Sequence, residues 1–105
     1  MLTSSEIAWV AAMLEGEGSF TLQSQKYPVI RFSSSDLDIA SRMAGLLGTN
    51  KVYKKSVAKE HYKSMYMVNV TSIDGIAWMM TIYTFMGNRR RARIKELINV
   101  WRSRR

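Results

Sequence analysis

The sequence predicts an α+β protein with elements in the order αββαββα, an antiparallel sheet with one wet face, and a short helix appended at the C-terminal end. Three observations predict it. Apolar residues recur at three- and four-residue spacing in separate stretches near Ile7–Leu14, Leu37–Leu47 and Ile76–Met86. Between these stretches lie segments that alternate with period two, and glycines sit at the borders, at Gly16, Gly18, Gly48 and Gly87.

Thr3 and Glu6 have the spacing of a capping box, and the apolar run that follows predicts a first helix over about residues 4–15, stopped by Gly16 and Gly18. From Ser19 to Gln25 the pattern changes to alternation. Phe20 and Leu22 share one face, while Thr21, Gln23 and Gln25 share the other. A turn at Lys26-Tyr27-Pro28 leads to a second strand, in which Ile30 and Phe32 join the core and Arg31 and Ser33 join the polar face. Ser35 or Asp36 caps a second helix through Leu37, Ala40, Met43, Ala44 and Leu47, which Gly48 ends. A second hairpin is expected from Lys51–Val57 and Tyr62–Val70, joined near Ala58 to His61, with Lys51, Lys55 and Lys63 among its polar positions. Ser72 then caps a helix through Ile76, Met79, Met80 and Tyr83 to Met86. Gly87 and Asn88 interrupt it before a last basic helix from Arg89 or Arg90 to about Arg102.

With 105 residues and neither repeat nor linker, the chain reads as one domain over residues 1–105. Sixteen Lys and Arg against eight Asp and Glu leave a net charge of +8, for which an anionic partner is the economical explanation. No stretch approaches a membrane span, and the first residues lack the pattern of a secretory signal, so a cytoplasmic protein without membrane contact is expected. The absence of cysteine and the single histidine, His61, exclude disulfides and thiolate or histidine metal sites. Any metal would be held by oxygen.

The sharpest local feature is Trp9-Val-Ala-Ala-Met-Leu-Glu15-Gly-Glu17-Gly-Ser-Phe20, an apolar helix that ends in two carboxylates interleaved with glycines and runs into a strand. Small residues at Ala8, Ala11, Ala12 and Gly16 allow another helix to approach closely, with Glu17 pushed out at the helix end. These twelve positions resemble the motif of the LAGLIDADG homing endonucleases, with Ala12 where glycine is usual and Glu15 where aspartate is usual. The resemblance extends to Ser35-Asp-Leu-Asp before the second helix, to Lys51-Val-Tyr-Lys54, and to Phe85-Met-Gly-Asn-Arg-Arg-Arg-Ala-Arg before the last one. The αββαββα order is also that family's.

A single motif implies, by this resemblance, a homodimer in which the motif helices pack around a twofold axis through Ala8, Ala11, Ala12, Glu15 and Gly16. It implies Mg²⁺ held by Glu17 and the backbone carbonyl of Gly16, with Glu15 at the start of the partner's helix. Arg89 and Arg90 are candidates for the basic residue near the scissile phosphate, and Asp36 lies either near the attacking water or at the cap of the second helix. The polar sheet face (Thr21, Gln23, Gln25, Arg31, Ser33, Lys51, Lys55 and Lys63) would read double-stranded DNA in the major groove, on a palindromic or near-palindromic target. Gln23, Gln25 and Arg31 have the geometry for base edges, and the lysines for phosphates. The activity implied is site-specific hydrolysis of both DNA strands. The alternative is a non-cleaving DNA-binding regulator or an RNA-splicing maturase on the same scaffold. A generic RNA-binding module is weaker, because the expected polar face mostly lacks exposed aromatics.

Overall fold

A computed structural model describes residues 1–55 and 64–103. The elements run α1 (Ser4–Glu17), β1 (Gly18–Gln23), β2 (Tyr27–Ser34), α2 (Leu37–Leu47), β3 (Tyr53–Lys55), β4 (Met65–Thr71), α3 (Ser72–Ile82), a 3₁₀ turn (Tyr83–Phe85) and α4 (Asn88–Ser103). The strands form one antiparallel sheet in the order β1-β2-β4-β3. The fold is the expected α+β arrangement. The tip of the second hairpin, with His61 and Lys63, lies outside the described residues.

Helix α1 starts where its capping box predicts: the Glu6 N–H donates to Thr3 Oγ1 (3.1 Å) and the Thr3 N–H to Glu6 Oε1 (2.8 Å). It continues through Gly16 and stops at Gly18, whose N–H donates to the Leu14 carbonyl. A Cβ on Gly18 would stand 2.7 Å from the Leu14 oxygen, so the chain can fold back this tightly only with glycine there. Gly16 is different: nothing lies within 4 Å of where its Cβ would be.

The first hairpin turns earlier than expected. Ser24 and Gln25 both take left-handed φ (53° and 59°), and the Lys26 N–H donates to the Gln23 carbonyl at 3.1 Å. Two consecutive left-handed residues match the twist of the flanking strands, which explains the turn although neither residue is glycine. Pro28 therefore lies inside β2, opposite Leu22. The β2–β4 ladder begins only at Val29, so its missing N–H costs no rung on that side.

Phe20, Ile30, Phe32, Val68 and Val70 project from one sheet face into a core completed by Val10, Leu14, Met43, Ile76 and Ile94. Helix α2 meets its expected bounds, with Gly48 at φ 87° as its left-handed cap. Leu37, expected in the core, is exposed in the helix's first turn, and Met80 likewise faces outward while Met79 and Met86 are buried. Ser72 is not the cap of α3. Thr71 takes that position and Ser72 follows it at φ 59°. The appended helix is not short: α4 has 16 residues and contributes Ile94 and Leu97 to the core. Trp78 anchors α3 to the end of α2, its Nε1 donating to the Leu47 carbonyl at 3.2 Å, and Trp101 packs against the core.

Candidate nucleic-acid interface and carboxylate cleft

The sheet face opposite the core carries Ser19, Thr21 and Gln23 on β1, Arg31 and Ser33 on β2, and Lys55 on β3. The registers Ser19↔Arg31, Arg31↔Asn69 and Lys55↔Met65 align these residues across the four strands. Five of the eight residues expected to face DNA thus share this face: Thr21, Gln23, Arg31, Ser33 and Lys55. Gln25 is displaced into the left-handed turn and Lys51 into the segment before β3, both exposed, while Lys63 lies outside the described residues.

Sequence reasoning missed part of this face. Tyr27 (43% exposed) and Tyr53 (53% exposed) stand on it, with Met65, Met67, Asn69 and Thr71 from β4. The burial of Val68 and Val70 carried the missing signal, because alternation sends Met67 and Asn69 to the other side once those two are placed in the core. The face is thus less purely polar than the sequence suggests. The side-chain amide oxygen of Asn69, Oδ1, is buried there and has no hydrogen-bond partner among the described residues.

Where α1 ends, its two carboxylates have opposite fates. Neither suits the negative end of a helix dipole, where anions are unfavourable by about 0.3–1 kcal/mol. Glu15 is compensated within the chain: its Oε2 lies 3.1 Å from Arg90 Nε, and its Oε1 accepts from the Gly87 N–H at 3.3 Å. Gly87 begins α4, since its carbonyl accepts from the Arg91 N–H at 2.9 Å, so Glu15 holds the positive end of that helix. Glu15 was expected at the start of a partner's helix. Within the single chain it holds the start of α4, which comes back against the α1–β1 junction.

Glu17, two residues on, is exposed and has no ion pair or hydrogen bond among the described residues. It opens onto a cleft of about 420 Å³ that it shares with Ser33, Ser34, Ser35 and Asp36 above a floor of Met13 and Phe32. Asp36 occupies the N-cap position of α2, yet its carboxylate makes no capping hydrogen bond; its N–H donates to Ser34 Oγ at 3.0 Å. Of the two expectations for Asp36, the capping hydrogen bond is not made, and the residue lines the cleft. Two unpaired carboxylates beside hydroxyls form an all-oxygen donor set of the kind hard divalent cations take. No group of three or more His, Asp or Glu converges among the described residues.

On the other side of the junction, Gly18, Ser19, Phe20, Arg89, Arg90 and Arg93 border a second cleft of about 260 Å³. Arg90, a candidate for the residue near a phosphate, is engaged within the chain. Besides its pair with Glu15, its Nη1 donates to the Gly18 carbonyl at 2.7 Å, and its side chain is only 16% exposed. Arg93 Nε similarly donates to the Phe20 carbonyl at 3.0 Å. The two arginines, three residues apart on α4, satisfy alternate outward carbonyls of β1, the edge strand. Arg89 is exposed and makes no hydrogen bond or ion pair with other described residues.

On α1, Ala8, Ala12 and Gly16 form an exposed stripe, whereas Ala11 is 1% exposed and faces the chain's own core. Ala11 therefore drops out of the surface expected to meet a partner. Among the described residues no helix is long and apolar enough to cross a membrane.

Comparison with solved structures places this fold. The homing endonuclease I-CvuI, in complex with its target in the presence of 2 mM Ca, matches over 91% of this chain with a TM-score of 0.65 at 15% identity. The same endonuclease with the I-CreI target and 2 mM Mg, in which the DNA is not cleaved, matches with a TM-score of 0.60 at 11% identity. The chain spans 66% of the length of that protein. The likeness defines the class of fold, that of the homing endonucleases. No family model and no curated protein matches the sequence.

Proposed function

We propose that this chain is a homodimeric, site-specific endonuclease of the LAGLIDADG homing type, cutting both strands of a near-palindromic DNA target with Mg²⁺. The observation that carries this reading is the pair of unpaired carboxylates, Glu17 and Asp36, in one cleft at the end of a sheet face that bears Gln23, Arg31 and Lys55. A carboxylate left without a partner at the unfavourable end of a helix breaks a local rule, and such breaks concentrate at functional sites.

Arg31 supplies two donors for a guanine edge and Gln23 one donor and one acceptor for an adenine edge, while Lys51, Lys55 and Arg89 neutralise phosphates. Glu17, the carbonyl of Gly16 and Asp36 form the oxygen surface that would hold Mg²⁺, which supplies an activated water and charge neutralisation at the phosphate. Helix α1 supports the dimer. Its buried face serves the core, yet its outer stripe is also small and apolar, and nothing in the chain itself requires a glycine at position 16. Packing of that stripe on a second copy would bring two Glu17 carboxylates to the twofold axis.

The test is selection of cleaved sites from a randomised duplex library in Mg²⁺, repeated as a binding selection in Ca²⁺. Recovery of a near-palindromic cut site in Mg²⁺ supports the reading. Enrichment by binding alone would favour a second reading, a non-cleaving DNA- or RNA-binding protein. Tyr27 and Tyr53 favour that alternative, since exposed aromatics on a basic sheet are platforms for unpaired bases.

A further inference from the structure

Glu17 itself is held by no side chain, so its place in the cleft is set by the backbone on either side of it. That backbone is pinned from one direction by a single guanidinium. Arg90 Nε pairs with Glu15 Oε2 at 3.1 Å, two residues before Glu17, and Arg90 Nη1 donates to the Gly18 carbonyl at 2.7 Å, one residue after it. The guanidinium carbon also lies 5.7 Å from the centroid of the Phe20 ring. Glu15 closes the clasp through its bond from the Gly87 N–H, where a Cβ would come within 2.9 Å of Glu15 Oε1.

We propose that Arg90 is a positioning residue: it spans the Glu15–Gly18 segment and holds Glu17 in register with Asp36, without itself touching DNA or metal. The inference rests on the endonuclease reading above. Three features of the guanidinium support it. It is mostly buried, its charge is matched by Glu15, and two of its nitrogens are committed to atoms on opposite sides of Glu17. A residue with a phosphate to bind has no use for that arrangement, and neighbouring Arg89 is exposed and free for the task. Misplacing a reacting group by about an ångström, or removing the partner that orients a ligand, costs roughly ten- to a hundredfold in rate.

The experiment compares wild type with R90K, R90Q and E15Q. Amide hydrogen exchange is measured on the free protein. DNA affinity and its salt dependence are measured in Ca²⁺, and single-turnover cleavage at saturating DNA is measured in Mg²⁺ at a temperature well below every variant's unfolding midpoint. We expect exchange at Glu17 and Gly18 to quicken in all three variants with α2 and α3 unchanged, and affinity and salt slope to stay as in wild type. Cleavage should slow by about ten- to a hundredfold in R90Q. R90K should not rescue it, because one ammonium cannot span both partners. E15Q loosens the same clasp from its other side, which keeps the test decisive if an Arg90 variant fails to fold.

A salt slope reduced by about one for each arginine removed would make Arg90 a phosphate contact and overturn the proposal. A lower midpoint with an unchanged cleavage rate would overturn it as well, leaving Arg90 a stabilising tie. If wild type cuts no selected target, the endonuclease reading falls and takes the positioning role with it. If wild type cuts and R90Q cuts equally fast, only the positioning role falls.

Discussion

Glu15 and Glu17 stand two residues apart at the same end of the same helix, and their surroundings differ in every respect that matters. Glu15 has both oxygens engaged, by Arg90 and by the Gly87 N–H, and ties α1 to the start of α4. Glu17 faces a cleft whose other carboxylate, Asp36, is equally without a partner. The contrast separates holding from acting: an acid whose charge is answered inside the chain contributes to the fold, and one whose charge is left open is the one proposed to take a cation. The glycines beside them repeat the contrast. Gly18 is demanded by its own helix, whereas Gly16 has open space around it among the described residues.

The sharpest way to break the comparison is Glu17→Gln. The substitution keeps size and removes charge, so cleavage of a selected target in Mg²⁺ should fall by orders of magnitude while affinity in Ca²⁺ is kept or improved. Undiminished cutting in parallel binding and nicking assays would place the metal elsewhere.

Next in size is Gly18→Ala, whose methyl group would press on the Leu14 backbone and cost about 1–3 kcal/mol in urea unfolding. Gly16→Ala tests the other glycine. In the isolated chain it should stabilise α1 by up to about 1 kcal/mol through helix propensity alone. In sedimentation equilibrium the same variant should associate less strongly than wild type, because the added methyl stands on the stripe facing the second copy. Equal association would move the dimer contact off this stripe.

The smallest expected effect is at the other end of α1. The Thr3 backbone N–H, and then its hydroxyl, hold the Glu6 carboxyl below its usual value near 4.5. A lowered folded value means that the unfolded chain takes up the proton first. The stabilisation is therefore present above that usual value and is lost as pH falls through the lowered one. Thermal midpoints compared with Glu6→Gln should converge in acid and separate toward neutrality. A difference that did not depend on pH would assign the cap to geometry rather than charge.

What could be read along the chain and what could not divide by the range of the interaction. The capping box at Thr3 and Glu6, the stripe Ala40–Met43–Ala44–Leu47, the alternation of Phe20 and Leu22 with Thr21 and Gln23, and the left-handed stop at Gly48 all follow from groups within a few residues of one another. Periodicity and local hydrogen bonding act at that range, so the sequence alone determined the order of elements and most of the wet sheet face. It also singled out Glu17, because the two carboxylates between glycines form a local pattern. Periodicity could not rank Leu37 or Met80, since a residue on the margin of an apolar stripe is buried only if a neighbouring element covers it. Nor could it tell that the turn would be made by Ser24 and Gln25, whose left-handed backbone is imposed by the twist of two paired strands.

The two acids of the motif could be told apart only by tertiary structure. Arg90 and Gly87 lie 72 residues or more from the atoms they hold at the α1–β1 junction, and nothing in the residues around Glu15 announces them. The same return of α4 took Arg90 away from the surface and left Arg89 on it. The sequence by itself determined which chemical groups were available and which local elements would carry them. The return of α4 to the α1–β1 junction decided which charges are satisfied inside the chain, because compensation of a charge depends on distance through space and not on separation along the chain.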